Sequence, residues 1–246
     1  MAEKQVQVET VETNDALQRA KGFWAKFSKP ITYVGTAIIV LIGGWYGYKY
    51  FVTTPKQQKA SEVIFPAERL FKEMSNTTGF SKDSANILLN GGVLDGTNVT
   101  GLLKVISNYS GTPAGNLAEY MTGACYLHLG EFDKAIKHLK EFDGNDAGQI
   151  QSAAYRMLGD AYAEQKKNDE ALSNYKKAID AASSKDESTK FLSLSRAALF
   201  CDATGKTKEA IEFFTQIKEE ITPDFFRNNS IIFDTDKYLA KLGVTK

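Results

Sequence analysis

The chain has 246 residues, 43% of them apolar, which is enough for one ordinary core plus appendages. Thirty basic and thirty acidic side chains cancel, and no basic block stands out. Nucleic-acid binding, which depends on neutralising phosphates, is therefore disfavoured.

Residues 1–13 are polar and lack helical periodicity, which reads as a disordered cytoplasmic tail. Asn14 can cap a helix over 14–29 in which Leu17, Ala20, Phe23, Trp24 and Phe27 share one face and Arg19, Lys21, Lys26 and Lys29 lie around it. Aromatics on one side with basic residues nearby suit a helix lying in a headgroup layer. A short soluble helix preceding the membrane is the other reading. Pro30 then opens nineteen residues without a charge, to Tyr48. Ile31 to Val52 is long enough to span about 30 Å of hydrocarbon, with Trp45, Tyr46, Tyr48 and Tyr50 crowding one end as interfacial aromatics do. The long polar lead and the absence of an A-x-A site before Thr53-Thr54-Pro55 argue against a cleaved signal peptide. Four basic side chains in 15–29 against two, Lys56 and Lys59, in 53–67 place the N-terminus in the cytoplasm and the remainder outside. Gly43 and Gly47 form a G-x-x-x-G pair that admits a second membrane helix, although such pairs also arise by chance.

Beyond the span, residues 61–246 read as a helical domain. Ser61 to Met74 is helical, with Val63, Ile64, Ala67, Leu70, Phe71 and Met74 at helical spacing, and Ser84 to Leu89 adds a turn or two. Asn90-Gly91-Gly92 and Asp95-Gly96 read as a loop. Residues 152–181 carry the strongest signal. Counting Tyr155 as 1, Leu158, Gly159, Tyr162, Ala171, Tyr175 and Ala178 fall at 4, 5, 8, 17, 21 and 24. Small residues stand where two helices approach closely, and tyrosines fill the space beside them. This spacing resembles the tetratricopeptide repeat, an antiparallel helix pair of about 34 residues.

One pair cannot bury its own apolar face, so neighbours are required. Gly123, Tyr126, Gly130, Ala135, Ile136 and Leu139 repeat the pattern over 116–142, and Ala198, Cys201, Gly205, Ala210, Ile211 and Phe214 over 191–218. Ala135 and Ala210 lie 36 residues before and 39 after Ala171, the excess sitting in polar connections at 143–148 and 183–188. A degenerate repeat over 84–113 is expected to precede them, its second helix at Val99 to Asn108 with Gly101 at the small position and Pro113 closing it. Thr222-Pro223 closes the last repeat, and Asp234 to Leu242 forms a terminal helix over its exposed face. The expected fold is all-α: a transmembrane helix followed by a solenoid of helical hairpins.

Catalytic chemistry finds no footing. There is no G-x-S-x-G, H-E-x-x-H, phosphate loop or C-x-x-C pair, so neither an enzyme nor a metal or cofactor site is expected. Cys125 and Cys201 lie two repeats apart, beyond bridging reach, and read as packing residues. His128 and His138 read as solvated or packing. Binding, if present, belongs to the concave face formed by the first helix of each repeat. By offset this includes Leu117, Tyr120, Ala124, Leu127 and His128, then Ala153, Arg156, Asp160 and Glu164, then Leu192, Ser195, Leu199 and Asp202. Such a partly apolar groove suits an extended or helical polypeptide. Its own helix at Ser61 to Met74 is the competing occupant.

Phe23-Trp24, Lys29, the span end Gly44-Trp45-Tyr46, and the segment from Tyr109 to Ala118 before the first clear repeat resemble the YfgM family over most of the chain. The resemblance implies an inner-membrane protein with periplasmic repeats. It further implies an ancillary subunit of the SecYEG translocon paired with PpiD, a membrane-anchored periplasmic chaperone acting on exported polypeptides. The alternatives are a scaffold of another envelope machine, for secretion or gliding, and an outward-facing receptor that recruits a soluble enzyme.

Overall fold

The computed structural model describes residues 3–76, 81–94, 96–144, 147–183 and 185–244, with 3–16 and 76 by backbone alone. Residues 1–2, Asp95, Asn145, Asp146 and Ser184, which belong to the segments read above as tail, loop and connections, lie outside it. The chain divides into two units at Lys56/Gln57.

The first unit is dominated by α1, Glu3–Tyr48. Two sequence expectations are corrected here. Residues 3–13 are helical rather than disordered, and Asn14 lies inside the helix instead of capping it. Residues 3–21 contain no glycine or proline, and their Glu, Gln, Lys and Ala are strong helix formers. Pro30 does not separate two helices either, because α1 runs through it. Its ring withdraws the donor that would reach the carbonyl of Lys26. Close by, the hydroxyls of Thr32 and Thr36 donate to the carbonyls of Ser28 and Thr32, both at 2.8 Å, adding local bonds along the helix. After Tyr48 the backbone widens into a π-turn, Lys49–Thr53, in which the N–H of Thr54 bonds back to Lys49. Pro55 follows at once, and its missing N–H already breaks the ordinary ladder. Within this unit Ile39 is 71% and Leu41 72% exposed. Leu17 through α1 lies in the one helix, among the described residues, long and apolar enough to cross a membrane.

The second unit is a stack of helices. Helix α2, Thr54–Asn76, buries Ala60, Ile64, Ala67 and Met74. Helix α3, Lys82–Asn90, is capped by Ser81, whose hydroxyl accepts from the N–H of Ser84 at 3.0 Å. The segment read as a loop is a small antiparallel hairpin, β1 Gly92–Leu94 on β2 Thr97–Val99, turning at Gly96 with φ +76°. Helix α4, Leu102–Tyr109, is capped by Gly101 rather than holding it mid-helix. A Cβ on Gly101 would lie 2.4 Å from the Asn90 carbonyl carbon, so the glycine serves a backbone crossing. Pro113 opens the next helix instead of closing the previous pair.

Three hairpins follow. Helices α5, Pro113–Leu129, and α6, Phe132–Glu141, form the first; α7, Gly148–Glu164, and α8, Asn168–Ala181, the second; α9, Glu187–Ala203, and α10, Thr207–Glu220, the third. Each second helix also packs on the first helix of the next pair. The close approaches fall where the spacing placed them: a Cβ on Gly123 would lie 2.5 Å from Leu139 Cγ, and one on Gly159 2.4 Å from Tyr175 Cε1. The three inter-helix turns share one left-handed residue, Gly130, Lys166 and Gly205, with φ of +77°, +60° and +74°. Short helices α11, Pro223–Asn228, and α12, Thr235–Lys241, close the stack. Phe225 and Phe226 pack on Phe191, and Tyr238 stacks on Phe214 at 4.8 Å, covering the last hairpin. The buried apolar residues form two clusters, one from α2 to α7 and one from α8 to α12, with Tyr162 packed against both.

Candidate functional site

The inner face of the stack is lined by α5, α7 and α9, and its two ends differ. At the α5 end the apolar positions are half-buried within the chain. Tyr120 lies between Phe142 at 5.2 Å and Phe71 of α2 at 6.1 Å, and Leu117, Tyr120 and Leu127 are half-buried in the cluster that holds Val63, Leu70 and Phe71. Ala124 is half-buried too, and only His128, in the last turn of α5, is exposed among the five α5 positions. Of the α5 positions expected to meet a partner, Tyr120 therefore meets α2 instead, through Phe71. The helices packed along α5 are α3, α4 and α6.

From α7 onward the face is polar and open. Asp160 is the hub. Its Oδ1 accepts from Arg196 Nε at 2.8 Å and from the Tyr175 hydroxyl at 2.7 Å, while Oδ2 accepts from Arg196 Nη2 at 2.8 Å. This bidentate pair ties α7 to α9, and the hydroxyl ties in α8. Asp160 shifts both partners upward. Hydrogen bonding to Asp160 raises the Arg196 guanidinium above its ordinary value. Burial, reinforced by the Asp160 charge, pushes the Tyr175 hydroxyl well up.

Four residues before Asp160, Arg156 reaches across to α9, where Nη1 donates to Ser193 Oγ at 3.2 Å. Ser193 lies 2.8 Å from Ser152, and both hydroxyls donate to carbonyls, of Thr189 and Ala178. Burial lowers the Arg156 guanidinium from its ordinary value, and the neighbouring Tyr120 and Asp160 oppose it. Glu164 is exposed beside a cleft of about 290 Å³ lined by Asp160, Glu164, Tyr175, Arg196, Leu199 and Phe200. Leu192 and Leu199 stand 48% and 38% exposed on α9. Asp202 is paired with Lys241 of α12 at 2.7 Å, so it belongs to the closing helix rather than the groove.

Repeat offsets pointed to Arg156, Asp160 and Glu164; the bonded network around Arg156 and Asp160 also holds Arg196, Ser193 and Ser152, which the offsets did not name. Arg196 follows the inner-face position Ser195 directly, and a guanidinium is long enough to reach back from there. The cysteines are buried; burial pushes the Cys125 thiol up to about 12 and Cys201 to about 11, which keeps both protonated and inert. His138, given a packing or solvated role above, pairs with Glu119 at 2.6 Å and stacks on Tyr126. Among the described residues no group of three His, Cys, Asp or Glu has metal-binding geometry.

On α1, Phe23 and Phe27 pack at 4.8 Å, Trp24 is exposed, and Trp45 and Tyr46 meet edge to face at 5.0 Å, with Lys49 5.2 Å over the Trp45 ring. Gly43 and Gly47 present bare backbone: a Cβ on either meets nothing within 4 Å.

A family model of the tetratricopeptide repeat matches residues 152–185, and a second model of the same repeat matches 117–144. These are the second and first hairpins, and the chain carries tetratricopeptide repeats. No curated protein and no solved structure matches it.

Proposed function

We propose that this tetratricopeptide-repeat protein is a membrane-anchored, non-enzymatic protein–protein interaction module of a bacterial inner membrane. The observation that carries the reading is that one chain holds two kinds of exposed surface. An apolar helix with exposed Ile39 and Leu41 leads into repeats whose inner face is open from Arg156 to Leu199. Lipid covers the first surface; a polypeptide fits the second.

The finer reading, supported by the family resemblance at Phe23-Trp24, Gly44-Trp45-Tyr46 and Tyr109 to Ala118, is an ancillary subunit of the SecYEG translocon. In it the repeats are periplasmic and work beside a PpiD-like chaperone on exported polypeptides. The excess of basic residues before Pro30 supports a cytoplasmic N-terminus. Gly43 and Gly47 are then the contact with other membrane helices, and Phe23, Trp24, Phe27, Trp45 and Tyr46 set its depth.

Two measurements test this. A reporter that works only in the cytoplasm is expected to be active when fused at residue 1 and silent after Lys246; the reverse pattern excludes the translocon reading. Co-purification after mild solubilisation is expected to bring down translocon subunits. Recovery of secretion or gliding components instead makes the protein a scaffold of that machine, and recovery of a soluble enzyme makes it a receptor.

A further inference from the structure

A stretch of charge of one sign flanks the apolar span. Between Asp15 and Glu62 there is no acidic residue, while Arg19, Lys21, Lys26 and Lys29 fall within eleven positions. Asp15 stands one helical turn before Arg19, but no carboxylate lies three or four residues from Lys21, Lys26 or Lys29, the spacing that a helix brings together. All three lysines are exposed, and the ammonium of Lys26 rests 5.6 Å over the Phe27 ring. The other end of the span differs, since Lys49 lies over Trp45 and Lys59 is three residues from Glu62. Winding at about 3.6 residues per turn sets the three lysines on one arc of α1, with the small Gly22 and Ala25 between them, and Phe23, Trp24 and Phe27 on the opposite arc. Because α1 runs unbroken through Pro30, Lys29 and Lys26 stand roughly 3 and 8 Å along the axis from Ile31, where the apolar run begins. A headgroup layer is roughly 5–8 Å deep, and the four-carbon stem of Lys21 reaches back toward it.

We propose that this face gathers anionic phospholipids, the ammonium groups of Lys21, Lys26 and Lys29 holding the headgroup phosphates and the aromatic arc seated in the layer beside them. Charge selects the headgroup. Three cations with no carboxylate within a helical turn attract a net anion, whereas a zwitterionic headgroup brings its own cation to the same place. The exposed Phe23, Trp24 and Phe27 select a lipid over a soluble phosphate, which would leave all three rings in water. This rests on the membrane-anchor reading and names the class of lipid that the anchor prefers.

The test uses the full chain in phosphatidylcholine vesicles that carry a trace of spin-labelled phosphatidylglycerol or spin-labelled phosphatidylcholine. Electron paramagnetic resonance reads the share of each label slowed at the protein, and the two shares give a selectivity ratio. The ratio is expected to favour phosphatidylglycerol at least about twofold, since about fivefold per lysine–headgroup contact is averaged with lipids that touch no lysine. Lys21→Gln, Lys26→Gln and Lys29→Gln together are expected to bring the ratio to unity, whereas arginine at the same three positions keeps it. Lys49→Gln with Lys59→Gln, beyond the other end of the span, is expected to leave it unchanged. Loss of the ratio in that second variant, or its survival in the triple glutamine variant, overturns the proposal. So does its loss in inorganic phosphate at constant ionic strength, which would make the face a site for soluble anions. A wild-type chain that alkaline extraction strips from the vesicles sinks the anchor reading itself; a retained chain with a ratio of unity sinks this face alone.

Discussion

Gly159→Leu tests the repeat geometry at its tightest point. An ideal Cβ on Gly159 would lie 2.4, 2.6 and 2.9 Å from Cε1, Cδ1 and Cζ of Tyr175. Tyr175 is 2% exposed and its hydroxyl is held by Asp160 at 2.7 Å, so the ring has nowhere to swing. Even Gly159→Ala sets a helix-propensity gain of about 1 kcal/mol against overpacking of about 1–3 kcal/mol. For leucine the strain dominates, and we expect a loss of about 3 kcal/mol or more. For a domain of this size, that lowers the midpoint by roughly 6–12 °C. The assay is thermal unfolding of the full chain in mild detergent, followed by near-ultraviolet circular dichroism. A double-mutant cycle sharpens it: with Tyr175→Leu in place, Gly159→Ala is expected to become stabilising, because the clash is gone and the propensity gain remains. An unchanged midpoint for Gly159→Leu, or an alanine effect independent of Tyr175, would refute the packing argument.

Gly43→Leu with Gly47→Leu is expected to weaken association with membrane partners in cross-linking while leaving the unfolding midpoint of the repeats unchanged. Tyr120→Ala with Leu127→Ala is expected to act mainly on stability, by about 3–5 kcal/mol in denaturant unfolding, because both side chains pack against the larger apolar cluster; a pure binding defect would show that they are spent on a partner instead. With thiol pKa values raised to about 12 and about 11, Cys125 and Cys201 remain protonated at pH 8, so a thiol reagent is expected to label them at the rate of unfolding. Lys166→Gly is expected to stabilise the fold by about 0.5–1 kcal/mol, read as a higher midpoint, since Lys166 holds φ +60° where Gly130 and Gly205 stand in the sister turns.

Legibility followed the physical origin of each feature. Gly123 and Gly159 were readable because a helix crossing demands a small residue at a fixed period. The same periodicity singled out Arg156 and Asp160. It was silent about Arg196, whose reach from the neighbouring position depends on side-chain length. Gly101 misled because a crossing of α4 over Asn90 and a mid-helix contact both call for glycine. The hairpin at Gly92–Val99 is too short for a two-residue alternation to register. Pro30 looked like a boundary from local rules, yet α1 continues through it. The contact of Phe71 on α2 with Tyr120 on α5 was open in the sequence, since helical spacing shows that α2 has an apolar face but not which surface covers it.

Tyr162, touching both apolar clusters, marks a seam rather than a centre. A stack whose repeats lean only on their neighbours has no reason to come apart in a single cooperative event. Pulled from the C-terminus, as an unfolding protease pulls, the chain would surrender α12, α11, α10 and α9 first. The break then falls between hairpins, because Gly159 and Tyr175 lock α7 to α8. Partial degradation would leave a trimmed, still-folded stump ending near α8, with Arg156 intact and its neighbours on α9 gone.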